Sequence, residues 1–262
     1  MKFTLILVLF AVNFCFGQEW QAEVLLGTSG YNGDLTQKSI SLKTFRPAAG
    51  INIKYDLDNG LILRGGIGWG TITANDKNNK QADLRLRNLN FKSTILEGSV
   101  CAEINVLEPG LFYSYPYFFA GVGIFHFNPY TYDKDGGKTF LQPLGTEGQG
   151  LPEYPMRKPY NLTQFCLPFG GGWKININKR WDVIYEIGGR VLFTDYLDDV
   201  STTYVNSQTL LMHKGEKAVE LAVRYDPATG GHFPHEGDIR GNPEAKDWYF
   251  ISGIKLLIHL GE

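Results

Sequence analysis

From Trp181 onward the chain alternates residue by residue. Trp181, Val183, Tyr185, Ile187, Gly189, Val191 and Phe193 fall on one face, and Asp182, Glu186, Gly188 and Arg190 on the other. A period of two predicts a β-strand, because successive side chains leave a pleated backbone on opposite sides. The C-terminal run repeats it, with Trp248, Phe250, Ile254, Leu256, Ile258 and Leu260 against Tyr249, Gly253, Lys255 and His259. Six earlier segments read the same way. Trp20, Ala22, Val24 and Leu26 form the first. Pro47, Ala49, Ile51, Ile53 and Tyr55 oppose Asn52 and Lys54, and Leu61, Leu63, Ile67 and Trp69 oppose Arg64, Gly66 and Gly68. Leu96, Val100 and Ile104 oppose Glu97, Ser99, Cys101 and Glu103. Tyr115 to His126 is nearly all apolar, with Tyr117, Phe119 and Phe125. Phe165, Leu167, Phe169, Trp173 and Ile175 oppose Cys166, Gly170, Gly172 and Lys174. No long window carries helical apolar spacing, so the fold class is all-β with about eight strands.

Strand length decides where such a sheet lives. These segments run to roughly 10–13 residues, beyond the ~5–6 of a soluble strand and matched to the ~9–11 that cross a bilayer at a tilt near 45°. One face is continuously apolar while the other holds charges, as lipid outside and a polar lumen inside require. Trp20, Tyr55, Trp69, Tyr115, Trp181 and Trp248 sit near strand ends, where an interfacial girdle belongs. Hydrocarbon leaves no unpaired strand edge, so the sheet closes into an antiparallel up-and-down transmembrane β-barrel. A soluble lipocalin-like barrel is the alternative; it turns its apolar face inward, and strand length, girdle and Gly-rich charged face favour the membrane form. Connections alternate between short (Asp56–Gly60, Asn105–Ser114, Asn178–Arg180) and long (Tyr31–Phe45, Thr71–Asn88, Phe127–Gln164, Thr194–Asp247). That is the pattern of periplasmic turns and external loops, and an even strand count puts both termini in the periplasm.

Composition narrows the function. The 262 residues are 43% hydrophobic and 14% aromatic with a formal charge of −2, and no basic run offers phosphate neutralisation, so nucleic acid is not an expected partner. Lys2, the apolar Leu5–Val12 and the Cys15-Phe16-Gly17 end predict a signal peptide over residues 1–17, with residues 18–262 as the barrel domain. Lipidation at Cys15 is the alternative, and Val12, Asn13 and Phe14 lack the small-residue context for it. Cys101 and Cys166 then remain on non-neighbouring strands and are expected to be free thiols.

The non-lipid face collects Lys54, Arg64, Glu97, Glu103, Lys174, Glu186, Arg190 and Lys255. Eight strands enclose a lumen that side chains fill, so these residues are expected to form a salt-bridged polar core; a charged translocation path, and hence a small pore, is the alternative. A lipid-modifying barrel enzyme is a further alternative, with His126, His213, His232, His235, Ser201, Asp195, Asp198 and Asp199 as rim candidates. No Gly-x-Ser-x-Gly elbow or spacing ties them together, so no catalytic residue is expected. His232 and His235 stand at i, i+3, which suits a metal but falls short of the about four ligands of a full site. Asp195 to Asp199 offers carboxylates to Ca²⁺ without the spacing of a calcium loop. Loop capping is the preferred reading of both, and no cofactor is expected. Leu141–Gly150 and Phe193–Val205 are aromatic and turn-rich rather than charged. The second continues the seventh strand, and both read as folded caps over the barrel mouth or as partner-docking surface.

Several segments resemble one family. Tyr31-Asn-Gly-Asp-Leu35, Arg46-Pro-Ala-Ala-Gly50, Arg87-Asn-Leu-Asn-Phe91, Phe119 to Pro129, Leu141 to Gly150, Phe169-Gly-Gly-Gly172, Phe193 to Val205, Arg240-Gly-Asn-Pro243 and Asp247-Trp-Tyr-Phe250 look like the PorG family. These are outer-membrane β-barrels of the type IX secretion system, a domain-of-unknown-function barrel family. The most specific piece is the motif loop with Thr194, Asp195, Tyr196, Asp198 and Asp199. The resemblance implies a non-enzymatic component of protein secretion, associated with a periplasmic ring of the lipoprotein PorK and its partner PorN. The candidate docking turns are then Asp56, Asp58, Asn59 and Gly60, and Asn178, Lys179 and Arg180, with the Asn105–Ser114 connection beside them. The chain ends Leu260-Gly-Glu262, without the terminal aromatic of many such barrels.

Overall fold

The computed structural model describes residues 20–36, 44–57, 60–225 and 233–260. The expected signal peptide, Asp58, Asn59 and His232 lie outside these. Eight long strands form the barrel: β1 (Trp20–Asn32), β2 (Arg46–Asp56), β3 (Leu61–Asn75), β4 (Asn90–Asn105), β5 (Ser114–His126), β8 (Thr163–Asn178), β9 (Trp181–Leu192) and β10 (Trp248–His259). A small hairpin, β6 (Tyr130–Tyr132) and β7 (Lys138–Phe140), joins β4 through Lys92 and Tyr130. Each long strand pairs antiparallel with both neighbours, and β1 with β10 and β3 with β4 complete the ring. Among the described residues no helix is long and apolar enough to cross a membrane; the strands do the crossing.

The register fixes the shape. Leu26 faces Ile254, then Tyr185, Trp173 and Pro116 in one direction. In the other it faces Ala49, then Trp69, Leu96 and His126. The two paths meet on β5 ten residues apart, from Pro116 to His126. A stagger of this kind obliges the strands to tilt, by roughly 35–45° in barrels of this type.

Polarity is inverted relative to a soluble protein. Leu26 and Phe165 are each 67% exposed and Phe118 66%, among a belt of Ile51, Val100 and Ile254, whereas Lys54 and Glu103 are fully enclosed. In water each such outer side chain would leave on the order of 2 kcal/mol of burial unrealised, and a lipid exterior removes that penalty. Trp20 packs on Tyr55 with ring centroids 4.9 Å apart, at the short-turn end of the belt. Cys101 and Cys166 are buried free thiols on β4 and β8, with β5 between them.

One mouth carries the shorter connections. Leu57 N–H donates to Leu61 O at 2.9 Å, Gly60 takes the left-handed φ of 78°, and Asn178 Oδ1 accepts from Arg180 N–H (2.9 Å) and Trp181 N–H (3.0 Å). The described chain starts and stops at this end, since Gln21 pairs with His259. The other mouth is covered. Helices α1 (Ala82–Arg87), α2 (Ser207–Lys214) and α3 (Glu216–Ala222) lie in its loops, with the hairpin and the segments around residues 141–160 and 193–205.

Three expectations change here. The loop expected from Thr71 is strand up to Asn75, paired back to Asn90, because Ile72, Ala74 and Phe91 bury themselves under the cap. The segment after Leu192 does not extend β9. Thr194 Oγ1 accepts from Tyr196 N–H (3.1 Å) and Asp198 Oδ1 from Val200 N–H (2.9 Å), local turns that compete with a ladder. The loop helices were not expected; they are short, and α2 is started by Asn206, whose Oδ1 accepts from the N–H groups of Gln208 and Thr209.

The lipid-facing belt predicts that Val100→Arg loses about 2–4 kcal/mol in urea unfolding from vesicles. The turn variant Glu108→Arg is expected to leave the midpoint unchanged; equal, negligible effects would speak against a bilayer around β4.

Candidate functional site

Two polar constructions occupy the interior, one in the lumen and one in the cap. In the lumen Glu103 accepts from Lys54 (3.0 Å), Arg64 (2.7 Å) and Lys174 (3.2 Å). Glu186 accepts from Arg64 and Lys255, each at 2.6 Å, and from the hydroxyl of Tyr117. Glu23 closes the circuit: Lys255 Nζ donates to it at 2.7 Å and Asn52 at 2.8 Å, while Lys54 Nζ sits 2.7 Å from its second oxygen, off the hydrogen-bonding direction. Nearer the covered mouth Arg190 forks onto Glu97 at 2.8 and 3.1 Å, and Tyr249 donates to the same carboxylate at 2.7 Å.

All eight sequence-derived lumen residues are ion-paired, six of them in the circuit around Glu103 and Glu186 and Glu97 with Arg190 as a separate pair. Glu23, Tyr117 and Tyr249 join these residues, whereas Asp182 lies apart, accepting from Asn176 (2.9 Å) and paired with His259 (3.2 Å). Glu23 was legible from parity, since it stands opposite Ala22 and Val24 on β1. The aromatic members fit because glycines give them room: a Cβ on Gly172 would lie 2.7 Å from the Tyr117 ring, and one on Gly188 2.6 Å from Phe119. Paired and hydrogen-bonded charges are the form in which a low-dielectric interior tolerates ions. Among the described residues a lumen cavity of about 40 Å³ lies between Arg64, Glu97, Glu186, Arg190 and Lys255, space for a few waters.

Above the Glu97–Arg190 pair rises a column of rings. Tyr249 and Phe125 lie 5.7 Å apart, Phe125 and Phe127 5.4 Å, Phe127 and Tyr160 6.1 Å, and Tyr160 and Tyr196 4.9 Å. The column ends in the cap, whose centre is Glu147. Its carboxylate accepts from Arg240 (2.8 Å), Ser201 N–H (2.9 Å), Thr202 N–H (3.0 Å) and the Thr202 hydroxyl (2.6 Å). Asp199 holds a left-handed φ of 71°, fixed by hydroxyls from Thr146 (2.5 Å) and Tyr160 (2.8 Å). Arg87 forks onto Asp76 and donates to the backbone carbonyls of Asp34 and Arg240. Burial raises the pKa of Asp199 to about 6, against the lowering by Arg240. Arg240 itself ends above its ordinary value: burial lowers it, and Glu147 and Asp199 more than offset that.

The cap thus joins the motif loop of Thr194, Asp195, Tyr196, Asp198 and Asp199 to Tyr31, Asp34, Arg87, Glu147, Arg240 and Asp247. These come from the segments that carry the family resemblance. Their partnership spans up to 216 positions of sequence, so no local signal foretold it. Among the described residues the rim candidates for catalysis form no triad. Ser201 Oγ donates to Asp195 (2.8 Å) with no described imidazole beside it; His126 bonds Thr163 on the outer face, and His213 bonds Glu153. His235 stands in a surface turn through its backbone N–H to Asp238. Among the described residues no group of three or more metal-ligating side chains converges.

A closed eight-stranded ladder, an apolar exterior, an ion-paired interior and loops folded over one mouth define the class: a β-barrel of the outer-membrane type whose lumen is filled by its own side chains. The chain belongs to the family described as Domain of unknown function (DUF6089), matched over residues 1–143. Among curated proteins none matches it. Three solved barrels are similar in structure. The N-terminal β-barrel domain of Pseudomonas aeruginosa OprF is 11% identical, with 92% of this chain and 97% of that one covered and a TM-score of 0.38. Neisserial surface protein A is 10% identical, with 92% and 96% covered and a TM-score of 0.42. The attachment invasion locus protein Ail of Yersinia pestis is 8% identical, with 92% and 98% covered and a TM-score of 0.39. The strand ladder itself, rather than these distant likenesses, fixes the fold.

Glu103→Gln removes the charge that three buried cations share, and a loss of about 3–5 kcal/mol is expected in the same unfolding experiment. Glu153→Gln, at the exposed pair with His213, is expected to leave the midpoint unmoved.

Proposed function

We propose that the protein is a non-enzymatic structural component of the type IX secretion machinery in the outer membrane, associated with the periplasmic ring of PorK and PorN. The observation that carries this reading is the ion-paired lumen under a folded cap: a barrel filled by its own side chains acts through its surfaces. The convergence of the resembling segments on one cap core adds support, because it ties the most specific part of the resemblance to a single built feature.

In this reading the covered mouth faces outward, and both termini and the tight turns lie in the periplasm. Asn178, Lys179 and Arg180 are fully exposed there, and Asp56 and Gly60 partly so. Every residue from Val106 to Tyr113 in the turn beside them is also exposed, with Leu111 at 73% and Tyr113 at 77%. A cationic turn next to an apolar one offers a ring subunit both register and burial.

Affinity purification of the tagged protein from native membranes in mild detergent is expected to bring down PorK and PorN in near-stoichiometric amounts. A barrel recovered alone would contradict the proposal. Replacing the three tight connections with plain Asn-Gly hairpins is expected to release the ring while the barrel still folds, and retained binding would reject these turns as the docking site. In planar bilayers the filled lumen predicts no single-channel steps; steady conductance would favour a small pore instead.

A further inference from the structure

The cap contains buried carboxylates with no ion-pair partner among the described residues. Tyr31 Oη lies 2.5 Å from Asp198 Oδ2 and 3.2 Å from Asp247 Oδ1, with Tyr31 and Asp198 at most 1% exposed and Asp247 1%. A phenol has one hydrogen to give. With one hydrogen for two acceptors, both contacts are full hydrogen bonds only when one of the two carboxyls is protonated and donates to the phenol oxygen while the phenol donates to the other. Neither aspartate has an ion-pair partner among the described residues.

Among the described residues the surroundings do not supply the missing charge. Facing this trio are Asp34 from the loop after β1, Asp76 and Arg87 beside α1, Glu147 and Tyr160 from the loop before β8, Asp195, Tyr196, Asp199 and Tyr204 from the loop after β9, and Arg240 and Lys246 before β10. Arg87 is taken by Asp76, Arg240 by Glu147, and the exposed Lys246 turns its ammonium to the Pro243 carbonyl (2.7 Å). The carboxyls of this region respond together: burial raises Asp198 and Asp247 well above the aspartate range, Asp34 to about 7 and Asp195 to about 6. The chain is also shaped for the contact. A Cβ on Gly33 would fall 1.8 Å from Asp247 Oδ1 and 2.2 Å from Tyr31 Oη, so only glycine admits this approach.

We propose that Tyr31, Asp198 and Asp247 form a proton-binding site that latches the cap onto the barrel, and that losing the proton loosens the cap. The latch joins three elements: the end of β1 through Tyr31, the entry to β10 through Asp247, and the cap loop through both aspartates. Asp247 Oδ2 accepts from Leu197 N–H and Asp198 Oδ1 from Val200 N–H, each at 2.9 Å. Without the proton two carboxylates confront one phenol in a dry interior, and their repulsion separates the loop that each anchors. The sign follows from linkage. A carboxyl whose pKa is raised in the closed cap stabilises closure fully below the open-state value near 4. That stabilisation is lost as pH rises toward the closed-state value. The inference is independent of the secretion reading.

Hydrogen exchange on the full protein in vesicles, from about pH 5.5 to about pH 8 and divided by the intrinsic rate, reads the opening of the cap. For the amides of Leu197 and Val200 the opening equilibrium is expected to rise about tenfold per pH unit until the closed-state pKa is passed, while β1–β5 amides stay flat. Asp247→Asn supplies the donor permanently and is expected to abolish the slope, leaving the cap protected throughout; Asp198→Asn serves if that variant does not assemble. A flat profile in the unmodified protein, or an unchanged slope in a folded Asn variant, would overturn the proposal. So would the absence of a protonated-carboxyl infrared band in the unmodified protein at about pH 6, below the raised values.

Discussion

Hydrocarbon offers no hydrogen bonds, so every backbone N–H and C=O that crosses it must find a partner inside the protein. In this chain the requirement is met by one closed ladder of eight strands with a stagger of ten residues. Closure makes parity global. Once Leu26 faces lipid, every second residue on β1 does, and the register carries that choice to Ile254, Ala49, Trp69 and Leu96 in turn. A slip of one residue anywhere would send a row of charges into the bilayer, which is a far stronger selector of register than any single contact.

The inward parity creates a second problem and solves it with charge. The lumen is too narrow for water to solvate five cations, so four glutamates are spaced to share them. Lys54, Arg64, Lys174 and Lys255 are bridged by Glu23, Glu103 and Glu186, and Arg190 by Glu97. Buried pairs of this kind contribute little net stability against an apolar core; they matter because losing one partner is costly. A slip of register would separate these partners and leave charges buried alone. The cap follows the opposite rule. There carboxylates outnumber the cations, Arg87 and Arg240 are already committed, and the remaining acids depend on hydroxyls, backbone amides and protons.

The contrast explains what the sequence disclosed. Period-two alternation is local, so strand identity and the lipid face of seven strands were legible, and so were eight lumen charges. The nearly all-apolar β5 hid its parity, because Tyr117 and Phe119 point inward with Phe118 and Val122 outward. Glu23 was missed although its parity marks it. Loop structure was legible only as rigidity. That the stretches at 141–150 and 193–205 fold as a cap was anticipated from their aromatic, turn-rich composition, but the joining of Glu147 to Arg240 and of Tyr31 to Asp247 lies in tertiary approach that no window contains. The strand expected beyond Leu192 failed for a local reason: Thr194 and Asp198 bond their own backbone.

Strand β4 offers a direct probe of an inverted barrel in a bilayer. Spin labels placed singly at successive positions from Leu96 to Ile104, in the protein reconstituted into vesicles, report access to lipid-soluble oxygen and to a water-soluble relaxant. Labels at Leu96, Gly98, Val100, Ala102 and Ile104 are predicted to meet oxygen, and labels at Glu97, Ser99, Cys101 and Glu103 neither agent. Free access of the aqueous relaxant to the inward set would contradict a filled lumen, and its access to the outward set would contradict a membrane exterior.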